Sequence, residues 1–369
     1  MVRSVFVIVI FLAAIGCKGE NMSSDQTAGP DGQEPGFEMD DFVLVPSSVS
    51  RERAAQLPTE PSEDARHILG RIDLPPIEDW DEERDYLPEP AVEWVVDVQL
   101  EGDPEFDPEV VGKRFDSNWR ERFGSMTIYG RDVETGLWTF LISADGPQAV
   151  DRLKFAFDYV DVLDEDAPVS TADEYAARVQ EIRKQLESFG KPTVAASMPP
   201  ADAEERSRML IDIRQRLDVS PVLFLNAPAS GRFDGRQMWD TMLCLGLEWG
   251  DMDCFHWPNP SDVGDDYFFS VETTTPPGYF LPEEVMADRV HVDDLVFVYS
   301  VPRCARPVEV FDAMVRGVEY CRQRLGGTIA DMDGEPADIT VMREQIVEIV
   351  RELQAAGFEP GVDATLRLF

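Results

Sequence analysis

Gly250-Asp251-Met252-Asp253-Cys254-Phe255-His256-Trp257 crowds carboxylates, a thiol and an imidazole into eight consecutive positions. That makes it either an active-site cluster or a structural corner, and its flanks decide between them. Upstream, residues 221–227 (PVLFLNA) form a short apolar run of strand type. A helical segment follows over 233–249, with Met238, Met242, Leu245 and Trp249 at spacings that fall on one face. Downstream, a loop of Pro, Asn, Ser, Asp and Gly leads into a second strand over 267–273. Strand, helix and then two strands describe half of a split β-α-β sandwich, with the octapeptide as the helix-to-strand corner. His256, set between two aromatic residues, reads as a structural imidazole and not as a base.

Continuing outward, residues 295–301 (LVFVYSV) are apolar at nearly every position, so both faces of that strand call for burial. A helix over 307–325 carries Phe311, Met314, Val315, Val318, Arg322 and Leu325 on one face. Asp333-Gly334 suggests a type I′ hairpin turn after a strand at 328–332. The last helix is expected to start at a Thr340 cap and to end at Gly357.

The preceding part of the chain echoes this order. It reads as a strand at 92–100, a helix over 106–123 and strands at 126–129, 137–142 and 155–162. A helix over 171–189, a strand at 191–196 and a helix over 201–217 complete it. Gly124-x-Met126-x-x-Tyr129 matches Gly250-x-Met252-x-x-Phe255, and Pro200-Ala-Asp202 matches Pro336-Ala-Asp338. The expected fold is therefore α+β, with two tandem split β-α-β sandwiches. Each is a mostly antiparallel sheet with helices on one face, over residues 91–218 (a degenerate copy) and 219–369.

Residues 18–90 are acidic and proline-rich and read as a disordered spacer, with apolar islands at 42–45 and 68–72 that suit local docking. Residues 5–15 are unbroken apolar, and Ala14-Ile15-Gly16-Cys17 has the form of a bacterial lipoprotein cleavage box. Such a run is about 20 Å long as a helix, short of the ~30 Å hydrocarbon core. Residues 1–17 are thus a lipoprotein-like signal, with lipid on Cys17, or a short membrane anchor. Either one tethers the chain to a membrane.

The formal net charge is −39, with 72 acidic residues against 33 basic ones, which disfavours nucleic acid as a partner. No HExxH, Walker loop, GxGxxG or GxSxG is present. Asp331-x-Asp333-Gly334-Glu335 lacks the glycine and glutamate positions of a calcium loop. Cys244, Cys254, Cys304 and Cys321 show no metal or redox spacing and read as buried free thiols. No catalytic constellation, cofactor, metal or small-molecule substrate is expected, and the chain reads as a non-enzymatic binding protein.

Leu225-Asn226, Leu247-Glu-Trp-Gly-Asp-Met-Asp-Cys-Phe-His256, Phe269-Ser-Val271, Pro277-Gly278-x-Phe280, Val301-Pro302 and Gly326-Gly327 together resemble the ZipA C-terminal domain family. The resemblance covers residues 220 to about 357 and extends only weakly, through the repeat, to the first copy. It implies an antiparallel sheet whose helix-free face carries a shallow apolar groove for the C-terminal tail of the tubulin-like protein FtsZ. It also implies a role in cell division and septum assembly, as a membrane tether on the cytoplasmic side. By the family's pattern the groove-facing residues are Thr274, Phe297, Tyr299 and Val301, with Thr274 and Tyr299 standing where methionines are expected. A lipid anchor at Cys17 implies instead an extracytoplasmic face, with the same fold serving as a scaffold without FtsZ binding.

Overall fold

Two sheets carry the molecule, and the computed structural model describes residues 57, 59–75, 84–102, 105–143, 146–161 and 168–369. The leader with Cys17 and the island at 42–45 lie outside the described residues.

The first sheet is built from β1 (Glu93–Leu100), β2 (Thr127–Asp132), β3 (Trp138–Phe140), β4 (Val150–Asp158) and β5 (Pro192–Ala196), in the spatial order β3-β2-β4-β1-β5, all antiparallel. Alternation sends Trp94, Val96, Val98, Leu153, Phe155 and Phe157 to one face. Helices α1 (Pro108–Arg114), α2 (Ser117–Phe123), α3 (Ala172–Leu186) and α4 (Pro200–Leu217) cover that face through Val111, Trp119, Tyr175, Ile182, Leu210 and Ile213. The single helix expected over 106–123 is instead two short ones. The Asp107 and Asp116 carboxylates each accept backbone N–H bonds at a helix start, and Phe106 pairs with Val150 as a bridge.

The second sheet runs β13-β6-β12-β10-β9-β8. Its strands are β6 (Val222–Asn226), β8 (Glu248–Trp249), β9 (Phe255–Pro258), β10 (Tyr267–Glu272), β12 (Asp294–Val298) and β13 (Thr328–Ala330). A separate two-stranded ribbon pairs β7 (Phe233–Asp234) with β11 (His291–Val292). Helix α5 (Gly235–Leu245) is shorter than its apolar pattern. The Asp234 side chain caps its start, and Gly246, at φ 79°, ends it in the left-handed conformation, so Trp249 belongs to β8. Helix α6 (Pro282–Met286) precedes the ribbon strand β11. Helix α7 (Pro307–Leu325) lays Val310, Phe311, Met314 and Val318 against Leu223, Leu225, Leu295, Phe297, Phe269 and Val271. Fully burying side chains of this size contributes about 1.5–3 kcal/mol each. Gly327, at φ 95°, tolerates no side chain, because a Cβ there would stand 2.2 Å from the Asn226 carbonyl oxygen. The turn after β13 has positive φ at Gly334 but not at Asp333, so it is not the expected type I′ pair. Helix α8 (Ile339–Ala355) is capped by Asp338, which accepts from the Val341 N–H, two residues before the expected Thr340 cap.

Two segments change the expected layout. Residues 59–75 fall in the expected spacer but lie against the second unit. Leu69 and Ile72 enter its core, and Arg316 donates to the Ile68 and Leu69 carbonyls at 2.8 and 2.7 Å. At the other end, Leu353, Phe358 and Leu368, beyond most of α8 and around α9 (Asp363–Leu366), are buried in the core of the first unit. Arg216 to Glu352 at 2.8 Å and Arg367 to Glu93 at 2.8 Å add charged links across the same seam. The C-terminal segment therefore joins the two units.

Candidate functional site

On the helix-free face of the second sheet, register lines up three transverse rows of side chains. Ladder pairs place Glu272 beside Val296, Val296 beside Phe224 and Phe224 beside Ala330. The neighbouring row runs Glu248, His256, Ser270, Val298, Val222. On the other side Asp294 pairs with Asn226, and Asn226 with Thr328. Val222, Phe224, Val296 and Val298 form an aliphatic and aromatic strip across the centre, half-buried except for Val296, which its sheet neighbours enclose. A shallow pocket of about 420 Å³ continues the strip past Ser270 and Val298 toward Tyr267 and Arg303.

Of the four residues expected to line this surface, Thr274 lies just beyond β10, beside Asp294. It is exposed, and its backbone N–H donates to the Asp294 carboxylate at 2.7 Å while its hydroxyl donates to the other oxygen. Phe297, Tyr299 and Val301 do not line it. Phe297 is fully buried with its ring 6.2 Å from Phe269, and Val301 is fully buried in the same core. Tyr299 is buried and donates its hydroxyl to the Pro307 carbonyl at 2.5 Å. Burial raises its phenol pKa well above the usual range. The physical reason is register. A strand repeats every two residues, so a one-residue shift exchanges its faces, and an all-apolar strand carries no alternation to set the phase. Asp294 does set it. Its carboxylate, stabilised by Thr273 and Thr274, faces away from the core, which sends Val296 and Val298 to the same side. Phe224, Val296, Val298 and Glu272 are the residues that sequence reasoning missed, and Asp294 was the signal for them.

The opening octapeptide forms the edge of this face. Asp251–Asp253 is a single 3-10 turn in which Met252 and Asp253 both have φ near 56°, and Met252 projects 73% exposed. His256 is buried beneath it. Its Nε2–H donates to the Asp251 carbonyl at 2.8 Å, leaving Nδ1 to accept from the Ser270 hydroxyl at 2.8 Å in the neutral ring. Tyr267 stacks on the imidazole at 4.1 Å and donates to the Asp251 carboxylate at 3.0 Å. Each ring nitrogen is occupied by a structural bond, so the cluster braces the β8-β9-β10 edge. Cys244, Cys254, Cys304 and Cys321 are free and buried, and burial pushes the Cys254 and Cys304 thiols up to about 12.

The first sheet's helix-free face is built differently. Its register rows hold Glu93 with Asp158, Val95 with Ala156 and Thr127, and Asp97 with Lys154 and Tyr129. Arg367 pairs with both Glu93 and Asp158, Lys154 pairs with Asp97, and Tyr86 packs on Phe140 at 5.3 Å between centroids.

Residues 221–352 match the family model described as ZipA, C-terminal FtsZ-binding domain. The second unit is thus a domain of the ZipA C-terminal type, and its antiparallel, one-side-covered sheet agrees with that assignment. Among similar curated proteins is the cell division protein ZipA of Marinobacter nauticus, 27% identical over 142 residues, covering 37% of this chain and 41% of that protein. The cell division protein ZipA of Pseudomonas fluorescens is 26% identical over 156 residues, covering 42% and 54%. That of Shewanella loihica is 26% identical over 110 residues, covering 30% and 32%. The chain therefore spans about half or less of the length of these relatives. No helix among the described residues is long and apolar enough to cross a membrane.

Proposed function

We propose that this protein is a non-enzymatic, membrane-tethered binding module of cell division that holds the C-terminal tail of FtsZ on the helix-free face of its second sheet. The observation that carries this reading is the strip Val222, Phe224, Val296 and Val298 on a face that the core helices leave free. An apolar tail lying across it buries surface at about 25 cal/mol per Å² without requiring any group to change protonation. The family match over residues 221–352 supplies the partner. The membrane tether rests on the apolar run at 5–15 and on Cys17.

Fluorescence anisotropy of a labelled tail peptide from the same organism's FtsZ, titrated with the full chain, tests it. The expected Kd is about 1 μM, or roughly −8 kcal/mol. Val298→Asp should weaken binding at least ~tenfold by placing a charge in the strip. Absence of saturable binding to the wild-type chain removes the reading.

A second reading has its own support in Ala14-Ile15-Gly16-Cys17. If Cys17 is lipidated after export, the fold serves outside the cytoplasm as a scaffold, out of reach of FtsZ. Palmitate labelling that is lost in Cys17→Ser, together with protease sensitivity in spheroplasts, favours the scaffold; protease protection favours the tether.

A further inference from the structure

Glu272 sits in the middle row of the helix-free face, directly beside Val296 and next but one to Phe224. Val271 and Phe297, its neighbours in sequence and register, point into the core, so the Glu272 side chain belongs to the open side. Every other carboxylate placed by register on a central strand of either helix-free face has a partner. Asp294 accepts from Thr273 and Thr274, Glu93 and Asp158 pair with Arg367, and Asp97 pairs with Lys154. The Glu272 side chain has no hydrogen bond or ion pair among the described residues, and the residue is half-buried. Its surroundings do not compensate it. Cys254 and Val296 flank it, and the two ring nitrogens of His256 in the adjoining row are already bonded to Ser270 and Asp251. Burial raises the Glu272 pKa, and nothing nearby lowers it.

A half-desolvated carboxylate beside an apolar strip is poorly stabilised in the free protein and well placed to receive a cation from a ligand. We propose that Glu272 is the specificity-determining residue of this face. It selects a peptide that sets a lysine or arginine over the β10 position while its apolar side chains cover Phe224, Val296 and Val298. The inference rests on the peptide-binding reading of the same face and adds to it the chemistry of the bound segment. A formal charge of −39 on the chain further favours a basic segment over an acidic one. The pairing lies at the edge of the apolar strip, where approaching peptide excludes water and strengthens the charge-assisted bond.

The test titrates the full chain, wild type and Glu272→Gln, with the labelled FtsZ tail peptide and with peptides in which each lysine or arginine is changed in turn to glutamine. The expected result is one basic position whose glutamine version binds the wild type about tenfold more weakly and binds Glu272→Gln no differently from the parent peptide. The parent peptide should also lose more affinity for the wild type than for Glu272→Gln between about 0.05 M and about 0.5 M salt. Glu272→Gln binding the parent peptide as tightly as the wild type, while Val298→Asp abolishes binding, overturns the role of Glu272 and leaves the groove standing. A wild-type chain that binds none of the peptides removes the groove, and this inference falls with it.

Discussion

The two sheets share an inner frame and differ in what they do with the rest. In each, three antiparallel strands stand in the same spatial order, β5-β1-β4 and β13-β6-β12, with a pair of long helices, α3 and α4 or α7 and α8, following in the same sequence. The outer strands are threaded in opposite order. β2, the earlier strand of its hairpin, lies against β4, whereas β10, the later strand of its pair, lies against β12. The Gly124 and Gly250 motifs therefore align in sequence but lead into strands at different sheet positions, and Pro200-Ala-Asp202 lies within α4 while Pro336-Ala-Asp338 precedes α8. The helix-free faces diverge further. The first is closed by Tyr86 and by ion pairs, two of them made by Arg367 from the C-terminal segment. The second keeps an aliphatic strip and an unpaired carboxylate. A shared frame thus supports one face closed upon itself and one that the core helices leave open.

The largest expected effect tests which side of β12 is core. Phe297→Ala should lower the unfolding free energy by about 3–5 kcal/mol in chemical denaturation, as a fully buried aromatic does. A loss below about 1 kcal/mol would return Phe297 to the open face and erase the contrast drawn here.

Next in size is the seam. Arg367→Ala leaves Glu93, 1% exposed, without its cation and unties the C-terminus from the first sheet. A cost of about 2 kcal/mol is expected, less than for a fully buried pair because the Arg367 side chain is 35% exposed. An unchanged denaturation midpoint would show that the first face is not closed by this contact.

The smallest effect concerns Glu272. Burial raises its folded-state pKa above the unfolded value, so the folded chain holds this proton more readily. Stability from this group is greatest at low pH and falls as pH rises through the interval between the two pKa values. Glu272→Gln escapes that loss. In thermal melts without peptide it should melt higher than wild type above the interval and level with it below. A lower melting temperature above the interval would mean that the carboxylate has a stabilising partner.

Much of this was legible in the residues. Amphipathic periodicity marked α3, α4, α7 and α8, and apolar runs marked β1, β6, β10 and β12, because burial on one side leaves a period in the sequence. Helix ends were less legible. Asp107, Asp116 and Asp234 stop or start helices through side-chain bonds that an apolar pattern does not register. The face of β12 was the main loss, since Leu295, Val296, Phe297 and Val298 are interchangeable by hydropathy and only Asp294 distinguishes their phase. Docking of residues 59–75 on α5 and α7, and of Phe358 and Leu368 on the first core, depends on tertiary partners that no local pattern names.

Methyl NMR of valine-labelled full chain, with and without the FtsZ tail peptide, addresses the central contrast most directly. Shifts at Val222, Val296 and Val298, with Val95 on the first sheet's helix-free face unmoved, are the predicted result. A spectrum in which those three methyls stay still, or in which Val95 moves with them, would contradict the account.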